Sequence, residues 1–425
     1  MSQVKKISLL SALSLVVNFQ LGAGFFLSPG QIAPMGRWGL LGWLIAGLGA
    51  LALCHVFSTL SFWSDEEGGP HVYVEGAFGQ KWAFYVAWAY WVVGWVSSLP
   101  LLWLATSSLQ DFLGSSGSMQ AFLFNMMIIG FATMMNVQGV KFSGIAEVVF
   151  SMIKILPMIA IPLLCWPFVS KNPLTLSSDL PAMASLGRAT LSTFWGFLGI
   201  EAGTTILQSV RNPKRSIPLA LFGGTLIVLA IYVFGSGVVM SILPASIISE
   251  STNAYTALLT HTFGTGWAKI MSLVVFLVCA TTVSSWLLVS GQVGLMAAKR
   301  NLFPPIFAKT NDEGAPIAGV WITIAALSIL VILGACFQIK DQMSAFVDFS
   351  VGLFILTYLL SVLSLMRLVL KKEIRSSFVL SCSMGVSIFF CLWVFSSMEW
   401  MTFVVMLCIV LSGGFLSRLL KWPVY

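Results

Sequence analysis

An all-α integral membrane protein with twelve transmembrane helices is the fold this sequence predicts, and three observations predict it. Of 425 residues, 58% are hydrophobic and 9% are charged, whereas a soluble domain carries about 25% charged residues. Apolar stretches long enough to cross a bilayer, about 20 residues each, recur from end to end: about 8–33, 38–61, 83–108, 120–138, 145–169, 189–210, 217–243, 267–297, 317–337, 343–369, 377–397 and 400–420, numbered here as spans one to twelve. Two of them are interrupted in the middle, span one by Gly22-Ala23-Gly24 and span six by Phe197-Leu198-Gly199-Ile200 with the charged Glu201 next. Broken helices in corresponding spans mark the binding site of a secondary transporter, because unwound backbone in lipid needs protein, ion or solute to meet its polar groups.

Span one is too long for a removable signal peptide and lacks a small-residue cleavage site, so it reads as a retained span. Spans two to five follow through short loops. Span six ends in Arg211-Asn212-Pro213-Lys214-Arg215-Ser216-Ile217-Pro218 and span eight in Asn301-Leu302-Phe303-Pro304-Pro305, both rich in helix breakers and basic anchors. With no linker or low-complexity tract, residues 1–425 read as one transmembrane domain. If the first ten spans form two halves of five, residues 1–170 and 187–370, the breaks occupy matching places. An odd number of spans per half inverts the second half, giving a five-plus-five inverted repeat with its breaks near the midplane. Residues 377–420 then hold two extra C-terminal helices.

The net charge of +7 follows membrane topology rather than a nucleic-acid footprint. With the N-terminus inside, Lys299, Arg300, Lys371, Lys372, Arg375 and most other basic residues fall on the inner side; Arg37, Lys171, Arg188, Lys269 and Lys340 fall outside. Both termini are then cytoplasmic, in a multi-pass protein of the inner membrane. The seven cysteines are scattered through apolar stretches and read as packing residues, without disulfide or metal. The histidines at 55, 71 and 261 are dispersed, so no metal site is expected. No phosphate-binding loop of the Gly-x-x-x-x-Gly-Lys-Ser/Thr kind appears, which argues against an ATP-driven pump.

Gly22, Ala23 and Gly24 leave amide N–H groups able to face an anion at the start of a half-helix; small residues also serve close helix packing. Glu201 is the one carboxylate that falls near the middle of a span, where a charge marks a functional site by default, through proton exchange or charge balance. A buried structural carboxyl is the alternative. Lys154, in Ser151-Met152-Ile153-Lys154-Ile155-Leu156-Pro157, lies too deep to snorkel. It can replace a bound sodium ion, exchange a proton, or tether spans through freed carbonyls. Tyr90, Trp91, Trp195 and Trp286 are aromatic side chains near these positions that could close over a solute, although most of the sixteen tryptophans must be belt or packing residues.

At these motifs the chain resembles the amino acid, polyamine and organocation transporter superfamily, within it the basic amino acid/polyamine antiporter branch, and the arginine/agmatine antiporters most. The resemblance is carried by Leu21-Gly22-Ala23-Gly24-Phe25-Phe26-Leu27-Ser28-Pro29, by Gly68-Gly69 through Tyr73 and Phe78-Gly79, by Thr193 through Glu201 with Arg211–Pro218, and by Trp286 through Gln292 with Leu302–Ala308. It implies a leucine-transporter-like fold. It also implies a substrate carboxylate on Gly22, Ala23 and Gly24, and an ammonium on the carbonyls of Phe197, Leu198, Gly199 and Ile200, with Trp195 stacking on the side chain. Glu201 would be linked to pH response, and Trp286 would line the pocket. Val93, Gly94 and Ser98 in span three and Val351 in span ten complete the expected substrate surface, and Tyr90, Trp195, Trp286 and Tyr358 are the expected gating aromatics.

Five positions depart from the pattern. His71 stands where a tyrosine is usual, Ser98 where the arginine antiporters have an asparagine, and Val351 and Leu359 where they have a serine and a tyrosine. Lys154 is similar instead to a span-five lysine of proton-coupled transporters and heteromeric exchangers, where it occupies the second sodium site. The sequence therefore reads as a sodium-independent transporter exchanging amino acids, or amino acid/amine pairs, by alternating access. A proton symporter of neutral or hydrophobic amino acids is the alternative, and a non-transporting sensor the alternative from another class. No enzymatic activity and no cofactor is expected. The partners are a small amino acid or amine, protons as a candidate co-solute, and the lipid bilayer, with no nucleic acid and with homodimerisation left open.

Overall fold

The computed structural model describes residues 8–64, 69–137, 154–169, 181–201, 210, 212–312, 314–337, 343–420 and 422. The regular elements among them are helices. Nine are long and apolar enough to cross a membrane, and a tenth crossing is formed by two helices bent by 44° at the Gly22-Ala23-Gly24 break. The described part of span five is a shorter apolar helix, Lys154–Phe168; residues 145–153 of that segment, 202–209 of span six, Gly68 and Arg211 lie outside the described residues.

Span one consists of Leu9–Gln20 and Gly24–Ile32, and span two is Arg37–Trp63. A short helix, Pro70–Phe78, precedes span three, which runs as Gln80–Val96 and Ser98–Leu113 around a one-residue interruption at Ser97. Pro100 explains that interruption. A proline lacks the N–H that would bond four residues back, and its ring crowds that carbonyl, here Val96. Span six begins as Ala182–Phe194, tightens into a 3₁₀ turn at Trp195–Phe197 and leaves helical geometry at Leu198. Spans seven to twelve are Pro213–Ile242, Thr265–Lys299, Ile317–Phe337, Met343–Leu370, Phe378–Ser396 and Trp400–Leu419.

Small residues let these helices approach closely, as in other membrane bundles. Span two lies on span six where Gly42 meets Ala189, and span one lies on span seven where Gly224 meets Val16. Spans three and eight pack along most of their lengths, with the Ser290 hydroxyl on the Trp91 carbonyl at 3.0 Å and against Gly94. The Trp43 ring stacks on Tyr232 at 4.3 Å and its N–H donates to Ser236 Oγ at 3.1 Å, locking span two to span seven behind the breaks.

Two ion pairs close the bundle at opposite ends of span ten. Arg300, just past span eight, pairs with Glu75 of the Pro70–Phe78 helix at 2.5 Å, and Arg367 lies over the Phe78 ring at 4.9 Å. At the other end Arg188 of span six pairs with the buried Asp348 at 3.1 Å. Cys54, Cys279 and Cys391 are buried as expected of packing residues, but Cys382 and Cys408 are exposed. They sit on the outward faces of spans eleven and twelve, and for them the packing reading is corrected.

Candidate functional site

The two breaks meet. A side chain added at Gly24 would find the Gly196 Cα at 3.2 Å, and one added at Gly199 would find the Phe19 carbonyl at 3.2 Å. Span one stops at Gln20, whose carbonyl accepts from the Tyr232 hydroxyl at 3.0 Å. The chain restarts as a helix at Gly24, so the amides of Gly22, Ala23 and Gly24 open a new half-helix. Early amides of a helix have no intrahelical partner, and with the helix dipole they favour an anion. Span six is opened differently: Leu198 is extended (φ −64°, ψ 144°) and Gly199 takes φ +96°, a region where only glycine is unstrained.

Between the breaks lies a narrow cavity walled by Gly22, Ala23 and Gly24, by Phe19 and Gln20 before them, by Ser97 and Leu101 of span three, by Trp195 and Leu198, and by Tyr232, Thr282 and Trp286. The expected substrate residues Gly22, Ala23, Gly24, Trp195, Leu198 and Trp286 thus come together. Val93, Gly94, Ser98, Phe197, Gly199, Ile200 and Val351 do not form its wall. In span three the register is shifted by one: Ser97 faces the cavity at the Pro100 interruption, while Ser98 turns its hydroxyl back to the Gly94 carbonyl at 3.2 Å. Val93, Phe197, Ile200 and Val351 are wholly buried in packing.

Glu201 is buried behind the span-six break and gathers two of the expected gating aromatics. Tyr90 donates to its Oε1 at 2.6 Å, and Tyr358 donates to its Oε2. The Tyr358 hydroxyl also accepts from the Gly199 N–H at 3.3 Å, so one side chain holds both the carboxylate and the turn before it. Trp195 and Trp286 face the cavity, whereas Tyr90 and Tyr358 are buried with their hydroxyls on Glu201. Lys154 is 2% exposed and lines a second, small space that shares Phe19, Thr282 and Trp286 with the first.

A wider cavity lies among the ends of spans three, four, nine and ten and residues 249–252. Trp103 is in its wall, two residues along span three from Leu101 in the wall of the central cavity. Sequence reasoning missed Gln20, Ser97 and the Arg188–Asp348 pair. Pro100 was the available signal for Ser97, and a glutamine beside a glycine break was the signal for Gln20. At the opposite end His71 is fully buried, and burial pushes its imidazole down to about 4.

Comparison with known proteins agrees with this geometry. The sequence profile of the amino acid permease family matches residues 7–418. The chain is 26% identical over 373 residues to the putrescine transporter PotE of Haemophilus influenzae, covering 87% of this chain and 85% of the relative. It is 25% identical over 392 residues to the cadaverine/lysine antiporter of Escherichia coli, covering 90% and 88%. Family and relatives are transporters rather than enzymes. With its apolar spans, its two abutting breaks and a match over nearly its whole length, this chain belongs to the amino acid permease family of multi-pass membrane transporters.

Proposed function

We infer that the protein exchanges amino acids, or an amino acid for a decarboxylated amine, across the inner membrane by sodium-independent alternating access. The observation that carries this reading is the single cavity bounded by both breaks. The Gly22–Gly24 amides can take a carboxylate, and the Phe197–Ile200 stretch, where the helix opens at Leu198, supplies carbonyls for an ammonium. The relatives named for putrescine and for cadaverine/lysine exchange give the solute class. Packing supports a five-plus-five inverted repeat: span one lies on span seven as span two lies on span six, the pairing that exchanging the halves would reproduce. Lys154 lines the space that shares Phe19, Thr282 and Trp286 with the central cavity, and there its ammonium stands in for a sodium ion. Inner-side termini remain the reading of the basic-residue asymmetry.

Counterflow in proteoliposomes tests the proposal. Labelled lysine, ornithine, putrescine and cadaverine are offered to vesicles that hold either buffer or the same solute unlabelled. An exchanger fills only the preloaded vesicles. Accumulation in empty vesicles under an acid-outside gradient would instead establish proton symport, the second reading, which Lys154 beside the cavity favours.

A further inference from the structure

Spans one, two, six and seven are tied together by Gly42 on Ala189, by Gly224 on Val16 and by Trp43 on Tyr232 and Ser236. Alternating access requires the spans that carry the breaks to part from their neighbours at each end of the cavity in turn. Span ten is such a neighbour, and it grips the first half of span six at two levels. At the break, the Tyr358 hydroxyl accepts from the Gly199 N–H at 3.3 Å, and its ring lies 6.3 Å from that of Phe194. Nearer the start of span ten, Asp348 accepts from Arg188 Nη1 at 3.1 Å. Arg188 stands two helical turns before Trp195 in the cavity wall, so this pair closes the bundle about 10 Å along the helix from the solute space. The surroundings of the pair are unequal. Asp348 is 3% exposed, and Arg188 is its one ion-pair partner among the described residues. The Arg188 side chain is half-buried, and its Nη2 lies 3.9 Å from Oε1 of the exposed Glu399, in the loop between spans eleven and twelve. The half-helix leans on that same loop, where a Cβ at Gly187 would strike Ser397 Oγ.

We propose that Arg188 is the latch of this end of the transporter: it holds Asp348 while the end is closed and passes to Glu399 when span six swings away from span ten. The inference rests on the reading that the protein works by alternating access. An arginine carries five donors in a planar fork and can serve two carboxylates at once. A buried carboxylate stripped of its cation is strongly disfavoured, whereas an exposed pair forms and parts at little cost. The Arg188–Asp348 contact is therefore the one that holds, and Glu399 is the one that receives. With a second carboxylate already within reach, the guanidinium is not left uncompensated as the pair opens, and Asp348 meets water entering from the opening end. Spans eleven and twelve, which carry neither break, thereby gain a part in the cycle through the loop that joins them.

The test reads opening directly. Ser97→Cys puts a thiol in the cavity wall, and a membrane-impermeant maleimide is applied to intact cells and to inverted membrane vesicles, so that each face is sampled in turn. Attachment at residue 97 is quantified by mass spectrometry, which keeps the native cysteines out of the reading. Asp348→Asn is the informative variant, because it releases the latch without leaving a buried charge unpaired; Asp348→Ser serves if it does not fold. From the face that bears Arg188, labelling is expected to rise roughly tenfold in Asp348→Asn and to fall about threefold in Glu399→Gln, with no rise from the opposite face. An exposed carboxylate contributes little to stability, so a fall in labelling at an unchanged unfolding midpoint in Glu399→Gln separates the latch from a structural role. Labelling unchanged in Asp348→Asn, or raised equally from both faces, overturns the latch. Labelling unchanged in Glu399→Gln overturns the handover and with it the part given to the loop. Counterflow of labelled lysine and cadaverine by the wild type is measured alongside: where it is present and labelling does not respond, the latch alone falls, and where it is absent, the proposed function and this inference fall together.

Discussion

The breaks in spans one and six do the same topological job by opposite means. In span one the chain reverses nothing: Ala23 keeps helical angles (φ −63°, ψ −15°), the half-helices meet at 44°, and the gap exists because Gly22, Ala23 and Gly24 are small. One side-chain hydrogen bond, from Tyr232 to the Gln20 carbonyl, steadies it. In span six the backbone leaves the helix outright, through extended Leu198 and left-handed Gly199, and hydroxyl groups hold it there: Tyr358 on the Gly199 amide and on Glu201, Tyr90 on Glu201. The first break is defined by missing volume and the second by added bonds. A break made of missing volume is a fixed socket, while one made of hydrogen bonds to a carboxylate can be tuned. The comparison therefore predicts that a change of pH acts on the span-six side.

The largest effect should come from filling the span-one socket. A Cβ at Gly24 already sits 3.2 Å from the Gly196 Cα and from the Tyr232 hydroxyl oxygen, neither of which can swing away. Gly24→Val adds two more carbons, forcing the breaks apart at a cost of about 1–3 kcal/mol or more. Exchange in proteoliposomes should fall by roughly 100-fold, since each tenfold corresponds to about 1.4 kcal/mol. Retention of exchange within tenfold of wild type would show that the span-one gap is not defined by volume.

Span six should respond to loss of bonds. Tyr358→Phe keeps the ring, which packs on Phe57 and Phe194, but strips the Gly199 N–H of its acceptor and Glu201 of a donor. Leaving buried polar groups unmet costs about 1–3 kcal/mol. The expected result is a lower thermal unfolding midpoint together with an altered pH profile of uptake. An unchanged midpoint and profile would contradict the account of a break held by hydroxyls.

The asymmetry between the breaks also explains what could be read without a structure. Glycines inside an apolar run and one carboxylate in a span are strong local signals, so the interrupted first span, Trp195 and Glu201 stand out in the letters. Hydrogen-bonded pairs leave no such mark. Tyr90, Tyr358 and Glu201 belong to three spans, and nothing local says that their hydroxyls converge on one carboxylate. Ser97 was passed over for Ser98 because resemblance fixes a register only where the helix is regular. Successive residues of a helix point about 100° apart, and the Pro100 interruption makes the choice between neighbours a matter of geometry. Asp348, five residues into span ten, looks like a boundary residue until Arg188 is seen against it.

The smallest expected effect tests whether the tunable break is reached from the loop helix. Gly69, just before that helix, lies against Tyr90, the residue that donates to Glu201: a Cβ there would be 3.1 Å from the Tyr90 ring and 3.8 Å from His71 Nδ1. Burial pushes His71 from its ordinary value near 6.5 down to about 4, and neither ring nitrogen has a hydrogen-bond partner. The lowered value means that packing favours the neutral ring. Its stabilisation is intact above about pH 6.5 and is lost progressively as pH falls toward 4. At pH 5.5 the penalty is about 1.4 kcal/mol. Nearby, burial pushes Glu75 up, so its protonation weakens the tether to Arg300 in acid as well. Limited proteolysis around residues 70–78 should therefore accelerate roughly tenfold between pH 7.5 and 5.5 in the wild type, and less in His71→Phe. Equal acceleration in both would assign the acid response to the Glu75–Arg300 pair alone. If the substitution instead flattens both the proteolysis and the pH profile of uptake, His71 connects the loop to the span-six break through Tyr90, while the span-one socket takes no part.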